Sequence, residues 1–227
     1  MGFKIVRLQA IYSKKYIEKI YFENKSLQNE SYQRQNTFFM NLVMDMPAKA
    51  FVEDFRKFGN KAEVIFWNNP ISQKKWAEEN NFVPEKNYSN SEIILAQLKK
   101  IKPDVVLFIN TASLPSDIRA NIKKIIPSIK LSVINEDFPG AYQDFSDADI
   151  LIVNTPILQK RYSYLKPYLI YHSFDPSILS KLKENKKDRE YNLGFLGSLR
   201  FPESRYYFIK NLYDKFNFYI WTNKKLK

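Results

Sequence analysis

Two hydrophobic patterns alternate along the chain. Short apolar runs, of which 105–109 is continuously apolar, are typical of strands buried on both faces of a parallel sheet. Longer stretches such as 91–101 place apolar residues at intervals of three and four, which predicts amphipathic helices. The predicted strands are 3–10, 62–67, 105–109, 129–134, 150–153 and 168–171. The predicted helices are 15–22, 31–44, 48–58, 72–80, 91–101, 115–126 and 156–164.

The repeated alternation of strand and helix predicts an α/β fold with a Rossmann-like, doubly wound parallel sheet. In such sheets, ligands bind in the crevice at the carboxyl ends of the strands. The sequence therefore places candidate ligand contacts at the polar residues that follow the strands. These residues are Tyr12, Asn68, Asn110, Thr111, Asn135, Glu136, Asp137, Asn154 and Thr155.

A change in composition divides the chain near residue 173. The segment 180–189 is highly charged and almost free of apolar residues, and a new strand, helix and strand follow at 193–197, 204–216 and 218–221. One βαβ unit alone cannot bury both faces of its strands. We therefore expect a complete domain over 1–173, a charged interdomain connector over 174–190, and the incomplete start of a second domain over 191–227. The alternative is that this last piece docks on the first sheet.

Charge adds a question about partners. The chain has 36 Lys and Arg against 24 Asp and Glu, a net charge of +12, which favours an anionic partner. Half of the excess lies in 180–189 and in the lysines of the last four residues. Because no stripe of Arg with interleaved aromatic residues stands out, we expect no nucleic-acid partner. Contact with anionic lipid stays open, as does the alternative of a basic nucleic-acid-binding domain.

Several residue types are scarce, and their scarcity excludes classes of site. The chain has no Cys and one His, His172, which excludes thiolate zinc sites, iron–sulfur clusters and multi-histidine metal sites. Its five Gly form neither a G-x-G-x-x-G sequence nor a P-loop. No apolar run approaches the roughly 18 residues of a spanning helix, and the amino terminus lacks the apolar core of a signal peptide. A reducing, cytoplasmic location is expected.

The end of the chain contains a possible phosphate site. The strand at 193–197 leads into Gly197, Ser198 and Arg200, and a helix begins near Arg205. Backbone N–H groups and Arg side chains at the start of a helix bind phosphate well, and a glycine lets the backbone approach the anion closely. An ordinary turn between a strand and a helix is the alternative interpretation.

Read in order, these segments resemble a known family. The phrase His172-Ser173-Phe174-Asp175-Pro176, the charged connector and the strand LGFLGSLR are similar to the crossover and second-domain start of GT-B glycosyltransferases. Nearer the amino terminus, SYQRQ, Asn69-Pro70, ISQKKWA and KPDVVLF resemble the branch described as spore-maturation-type glycosyltransferases. The resemblance covers nearly all of the chain.

The resemblance implies an acceptor-binding first domain followed by the start of a donor-binding domain. It implies sugar transfer from a nucleotide sugar to a hydroxyl of a glycan or protein acceptor in cell-surface glycan assembly, at the cytoplasmic face of the membrane. It requires no cofactor besides the nucleotide-sugar donor. The family's second domain is much larger than 191–227, so this chain is expected to be incomplete or inactive as a transferase. The matching positions for the donor diphosphate are Gly197, Ser198, Arg200 and Arg205.

The acceptor side would be formed by the first domain. Either Glu136 or Asp137 could act as general base toward an acceptor hydroxyl, or both could be a helix cap and a surface acid. The residues expected to contact the acceptor are Tyr12, Asn110, Thr111 and His172. The alternative for Asn110 and Thr111 is that they form a turn, and the alternative for His172 is a structural role. A non-catalytic α/β module that binds a glycan or a partner protein is the alternative function, and the sequence sets no oligomeric state.

Overall fold

The computed structural model describes most of the first three quarters of the chain and part of the last. The described residues are 2–11, 13–42, 48–85, 90–109, 113–137, 143–171, 193–196, 203–216 and 218–221. The chain divides into two compact units, Met1–Pro176 and Ser177–Lys227. The connector expected at 174–190 lies outside the described residues.

The first unit contains a six-stranded sheet in which every neighbouring pair of strands is parallel. The strand order is β2-β1-β3-β4-β5-β6. The predicted α/β, Rossmann-like fold class is confirmed. The strands are β1 (Lys4–Gln9), β2 (Lys61–Phe66), β3 (Val105–Ile109), β4 (Leu131–Glu136), β5 (Ile150–Val153) and β6 (Tyr168–Leu169).

Helices connect these strands, and side-chain caps set where several of them begin. Ser13, Ser31, Asn69 and Thr155 each accept a hydrogen bond from a backbone N–H in the first turn that follows. Short 3₁₀ helices lie at Lys25–Asn29 and Ser163–Leu165. The α-helices are α1 (Lys14–Glu23), α2 (Tyr32–Asn41), α3 (Ala48–Lys57), α4 (Pro70–Glu79), α5 (Asn90–Ile101), α6 (Ser116–Ala120), α7 (Ile122–Ile125) and α8 (Pro156–Arg161).

Several predicted boundaries are wrong. Strand β4 begins at Leu131 instead of 129, β6 ends at Leu169 instead of 171, α4 begins at Pro70 instead of 72, and α2 ends at Asn41 instead of 44. The single helix expected over 115–126 is two helices, because the Asn121 side chain donates to the Asp117 carbonyl oxygen (2.9 Å) and interrupts the regular pattern. The helix expected to reach residue 164 ends at Arg161 in a 3₁₀ turn. Strand β4 continues two residues further than expected, so that Glu136 is its last residue and pairs with Val153 rather than following the strand.

The sheet has an apolar core on each face. Alternate residues of its strands, among them Leu8, Ile65 and Phe108, form one core with residues of α5, α7 and α8. On the opposite face, Val64 and Phe66 pack with residues of α1, α2 and α3. This two-sided burial explains why the strands read as nearly continuous apolar runs.

The second unit contains the predicted strand, helix and strand. Strands β7 (Leu193–Leu196) and β8 (Phe218–Trp221) are parallel neighbours in a sheet of their own, and α9 (Glu203–Lys215) connects them. Ile209 of α9 is 4% exposed and packs with Phe195 and Ile220. Within the described ranges of both units, no helix is long and apolar enough to cross a membrane.

Candidate functional site

The order of the strands identifies one place in the sheet where a crevice forms. From β1 the chain moves outward to β2 and then crosses back to β3 on the other side of β1. The connections that leave β1 and β3 therefore diverge at the carboxyl ends of these strands. In open α/β sheets this point of divergence is where ligands bind.

Gln9 is the last residue of β1 and lies at this point. Its side chain is 1% exposed, and neither its amide nitrogen nor its amide oxygen has a hydrogen-bond partner. A buried amide without partners costs about 1 to 3 kcal/mol, so such groups call for an explanation in a folded protein. The side chain offers a donor and an acceptor together, which is the combination that a ligand hydroxyl group satisfies.

Asn135 lies on the same face of the sheet as Gln9. Leu8, Phe108 and Ile134 are in register across β1, β3 and β4, so the next residue of each strand, Gln9, Ile109 and Asn135, forms the following row. Two strand spacings separate Gln9 from Asn135, roughly 10 Å. The Asn135 Oδ1 atom is buried and has no hydrogen-bond partner. Two side-chain amides therefore flank the apolar side chain of Ile109.

Two more buried polar atoms without partners follow the neighbouring strands. They are the Trp67 Nε1 atom, directly after β2, and the hydroxyl of Ser113, which follows β3 and is 3% exposed. Together with Gln9 and Asn135, they give unsatisfied buried polar atoms at the carboxyl ends of four strands. Trp67 packs with the core on the face opposite Gln9, so Gln9 and Asn135 are the pair shown to share one face at this edge.

Glu136 and Asp137 lie at the end of β4, where the sequence placed a general base. Glu136 is 3% exposed. It alternates with Asn135 and therefore lies on the opposite face from Gln9, the face that carries Ile134 and Val153. Asp137 follows it and is half-buried. Of these two carboxylates, Asp137 is the one beyond the end of the strand.

Arg7 adds a buried cation below Gln9 on the same face of β1. Its side chain is 6% exposed, and its guanidinium carbon lies 5.2 Å from the centroid of the Phe51 ring. Burial lowers the pKa of Arg7 to about 10, which still leaves it protonated at neutral pH. The Gln9 face of the sheet therefore carries a positive charge one side-chain layer below the crevice.

Other residues expected at this edge have structural roles. The side chain of Asn68 donates to the Ile11 carbonyl oxygen and accepts from the Ile11 N–H, both at 2.7 Å, and so fixes the segment that follows β1. Thr155 caps α8 by accepting from the Leu158 N–H.

Arg205, expected at the donor diphosphate, is the third residue of α9 in the second unit and is exposed. The remaining predicted site residues lie outside the described ranges: Tyr12, Asn110, Thr111, His172, Gly197, Ser198 and Arg200.

The motif residues that carry the family resemblance form a buried polar network beside β2. Gln97 donates to Gln73 Oε1 (2.6 Å), and Gln73 donates to the carbonyl oxygen of Phe66 on this edge strand (3.1 Å). Tyr32 donates to Gln97 Oε1 (3.3 Å). Burial first, and then the Glu63 carboxylate, raises the pKa of Tyr32. The network joins α2, α4 and α5 to the edge of the sheet.

A second part of the network lies between α1, α2 and α4. The Tyr21 hydroxyl donates to Gln35 Oε1 (2.6 Å), and Asn69 donates to the Tyr21 oxygen (3.1 Å). Gln35 also donates to the Glu30 carbonyl oxygen (2.9 Å). Burial raises the pKa of Tyr21 to about 12. The SYQRQ and Asn69-Pro70 motifs therefore position helices, and the buried Gln35 and Asn69 side chains are hydrogen-bonded within the protein.

No group of three or more acidic or histidine side chains that could hold a metal ion occurs among the described residues. No protein-family model matches the chain, and no curated protein sequence matches it significantly.

Proposed function

We propose that the chain forms the acceptor side of a glycosyltransferase of the GT-B type, together with the first βαβ unit of its donor side. The single observation that carries the proposal is the Gln9 amide, which is buried and unsatisfied at the β1/β3 crevice. Sugars present many hydroxyl groups, each of which donates and accepts, so a glycan is the ligand class that best matches paired amides. The ordered family motifs supply the reaction class.

In the proposed reaction, an acceptor hydroxyl oxygen attacks the anomeric carbon of a nucleotide sugar. The new glycosidic C–O bond forms while the bond to the nucleoside diphosphate breaks. Asp137, beyond the end of β4, takes the hydroxyl proton as general base, with Glu136 as the second candidate. The leaving diphosphate is held by Gly197, Ser198, Arg200 and Arg205, and Tyr12, Asn110, Thr111 and His172 complete the acceptor site.

The second unit is compatible with this assignment. Its strands β7 and β8 are parallel neighbours connected by a helix, which is the repeating unit of a Rossmann-like domain. We place the protein in the cytoplasm at the inner face of the membrane, where nucleotide sugars and nascent cell-surface glycans meet.

The test is a pair of binding measurements on the full chain and on Gln9→Met. Ligand-observed NMR with a panel of oligosaccharides reports the acceptor site, and calorimetry with nucleoside diphosphates reports the donor site. We expect oligosaccharide binding that weakens at least about tenfold in Gln9→Met, the loss of one good polar contact. Nucleoside diphosphate binding should be unchanged by that substitution.

Three results would overturn parts of the proposal. Oligosaccharide binding that is equal in both proteins would remove Gln9 from the site. Binding of an oligosaccharide without any nucleoside diphosphate would favour the non-catalytic glycan-binding module. Binding of neither class would remove the glycosyltransferase assignment for this chain.

A further inference from the structure

The topology of the first unit gathers lysines that are scattered in the sequence. In a parallel sheet with helical crossovers, the strands begin, and the crossover helices end, at the same edge. Cations are favoured in the last turn of a helix because of the helix dipole. Lysines before strands and at the ends of helices therefore meet at the amino edge of the sheet, opposite the crevice.

We define the basic edge as six exposed lysines at such positions. Lys4, Lys100 and Lys123 also occupy them, and Lys123 pairs with Asp149. Lys61 begins β2, and Lys130 directly precedes β4. Backbone hydrogen bonds tie these starts together: Lys61 N–H donates to the Phe3 carbonyl oxygen, and Lys130 N–H donates to that of Asp104, both at 2.8 Å. The basic edge consists of Lys57, Lys61, Lys99, Lys102, Lys124 and Lys130.

Carboxylates neutralise only part of this edge. Lys57 pairs with Asp54 (2.8 Å) and Lys130 with Asp104 (3.0 Å). The other four, which are Lys61, Lys99, Lys102 and Lys124, are exposed and form no ion pair with any carboxylate of the described ranges. The amino edge also carries Asp104 and Asp149, which directly precede β3 and β5 and pair with Lys130 and Lys123. Four lysines of the basic edge remain without an ion pair among the described carboxylates.

Two exposed phenylalanines lie at one corner of the basic edge. Phe3 precedes β1 and is 57% exposed, and Phe58 follows α3 and is 82% exposed. The backbone holds this corner together, since the Phe3 N–H donates to Asn60 Oδ1 (2.9 Å). Gly2 also packs against Gly59 so closely that a Cβ atom on Gly2 would lie 1.9 Å from the Gly59 carbonyl oxygen. The two phenyl groups are thus presented beside Lys57 and Lys61.

We propose that the basic edge docks on an anionic lipid bilayer, with Phe3 and Phe58 entering the headgroup region. Each lysine near such a surface strengthens binding roughly fivefold, and exposed aromatic side chains gain by burial at the boundary with the acyl chains. A nucleic acid fits less well, because Lys predominates at this edge, although Arg56 lies in the last turn of α3, and phosphate and base recognition favour bidentate Arg. This inference does not depend on sugar transfer.

The test is co-sedimentation of the full chain with vesicles of phosphatidylcholine alone and of phosphatidylcholine mixed with phosphatidylglycerol. We expect binding to the anionic vesicles only, weakened by added salt. The variant Lys61→Gln/Lys102→Gln/Lys124→Gln should lower the partition coefficient on the order of 100-fold. The matched control, Lys14→Gln/Lys15→Gln/Lys19→Gln, removes the same charge from α1 and should lower it by less than about fivefold.

Orientation is tested separately with Phe58→Trp. The fluorescence emission of this variant, compared with that of the parent chain, should shift to shorter wavelength when anionic vesicles are added. Equal binding to neutral vesicles, an equal loss in both triple variants, or no Phe58→Trp shift would each overturn the proposal. Tighter binding to duplex DNA than to anionic vesicles, lost in the same triple variant, would also overturn it and identify a nucleic acid as the partner.

Discussion

Replacing Gln9 by Met should make the protein more stable. Met has nearly the shape of Gln but no polar head group, so the substitution removes the unsatisfied amide without leaving a cavity. Gln9 is 1% exposed and its amide atoms are unpartnered, so its burial costs about 1 to 3 kcal/mol that nothing in the ligand-free protein offsets. We expect the free energy of unfolding to rise by about 1 to 2 kcal/mol. For a chain of this size, Tm should rise by about 2 to 8 °C.

Gln73 provides the matched control because it is equally buried and differs only in its partners. It is 1% exposed, donates to the Phe66 carbonyl oxygen and accepts from Gln97. Gln73→Met would leave the Gln97 side-chain N–H buried without its acceptor, whereas the Phe66 carbonyl oxygen would still accept from the Asn69 N–H (3.2 Å). The same substitution should here lower the free energy of unfolding by about 1 to 3 kcal/mol.

Urea unfolding followed by tryptophan fluorescence measures both changes, because Trp67 and Trp76 lie in the first unit. Opposite signs for the two variants are the expected result. If Gln9→Met destabilises the protein as Gln73→Met does, then Gln9 is already satisfied in the free protein. The reasoning that assigns it to a ligand would then be refuted.

Two further outcomes follow from ion pairs. The Arg119–Asp147 pair (2.7 Å) is about nine-tenths buried, so Arg119→Met should lower the free energy of unfolding, measured in urea, by about 3 to 5 kcal/mol. Lys14→Gln, which breaks an exposed pair, should change it by less than about 0.5 kcal/mol. Equal effects of the two substitutions would contradict this expectation. The backbone N–H of Lys4, and then Lys130, lower the pKa of Asp104, so the Asp104 carboxylate stabilises the fold above about pH 4 and this stabilisation is lost as pH falls. In the same urea assay, Asp104→Asn should destabilise the protein at pH 7 and have little effect at pH 2. An equal loss of stability at both pH values would contradict this linkage.

The fold could be predicted from sequence because its signals are local. The continuous apolar run 105–109 coincides with β3, and the caps at Ser13 and Thr155 begin helices close to where the spacing places them. The order of the strands carries no such local signal. It depends on which side of β1 each crossover takes, and it became known only from the strand pairing.

The candidate site was predicted less well. Gln9, Trp67 and Ser113 were missed, because a polar residue at the end of a strand gives no indication of whether its side chain finds a partner. A weak signal for Gln9 was available in the glutamine that interrupts the apolar run of β1. Asn68 and Thr155 were expected at the ligand edge and proved to be structural, because the same polar side chains that bind ligands also cap helices and fix turns.

The polar network beside β2 shows that the motif residues and the candidate ligand-binding residues are two different sets. The motif residues hydrogen-bond helices to one another and to the edge strand β2; they are Tyr32, Gln35, Asn69 and Gln73. The unsatisfied amides lie at the carboxyl ends of β1 and β4 and belong to no motif. Over evolutionary divergence, the first set is constrained by foldability and the second only by the ligand. Proteins that share these motif letters would then share a scaffold while differing freely in the molecules they bind.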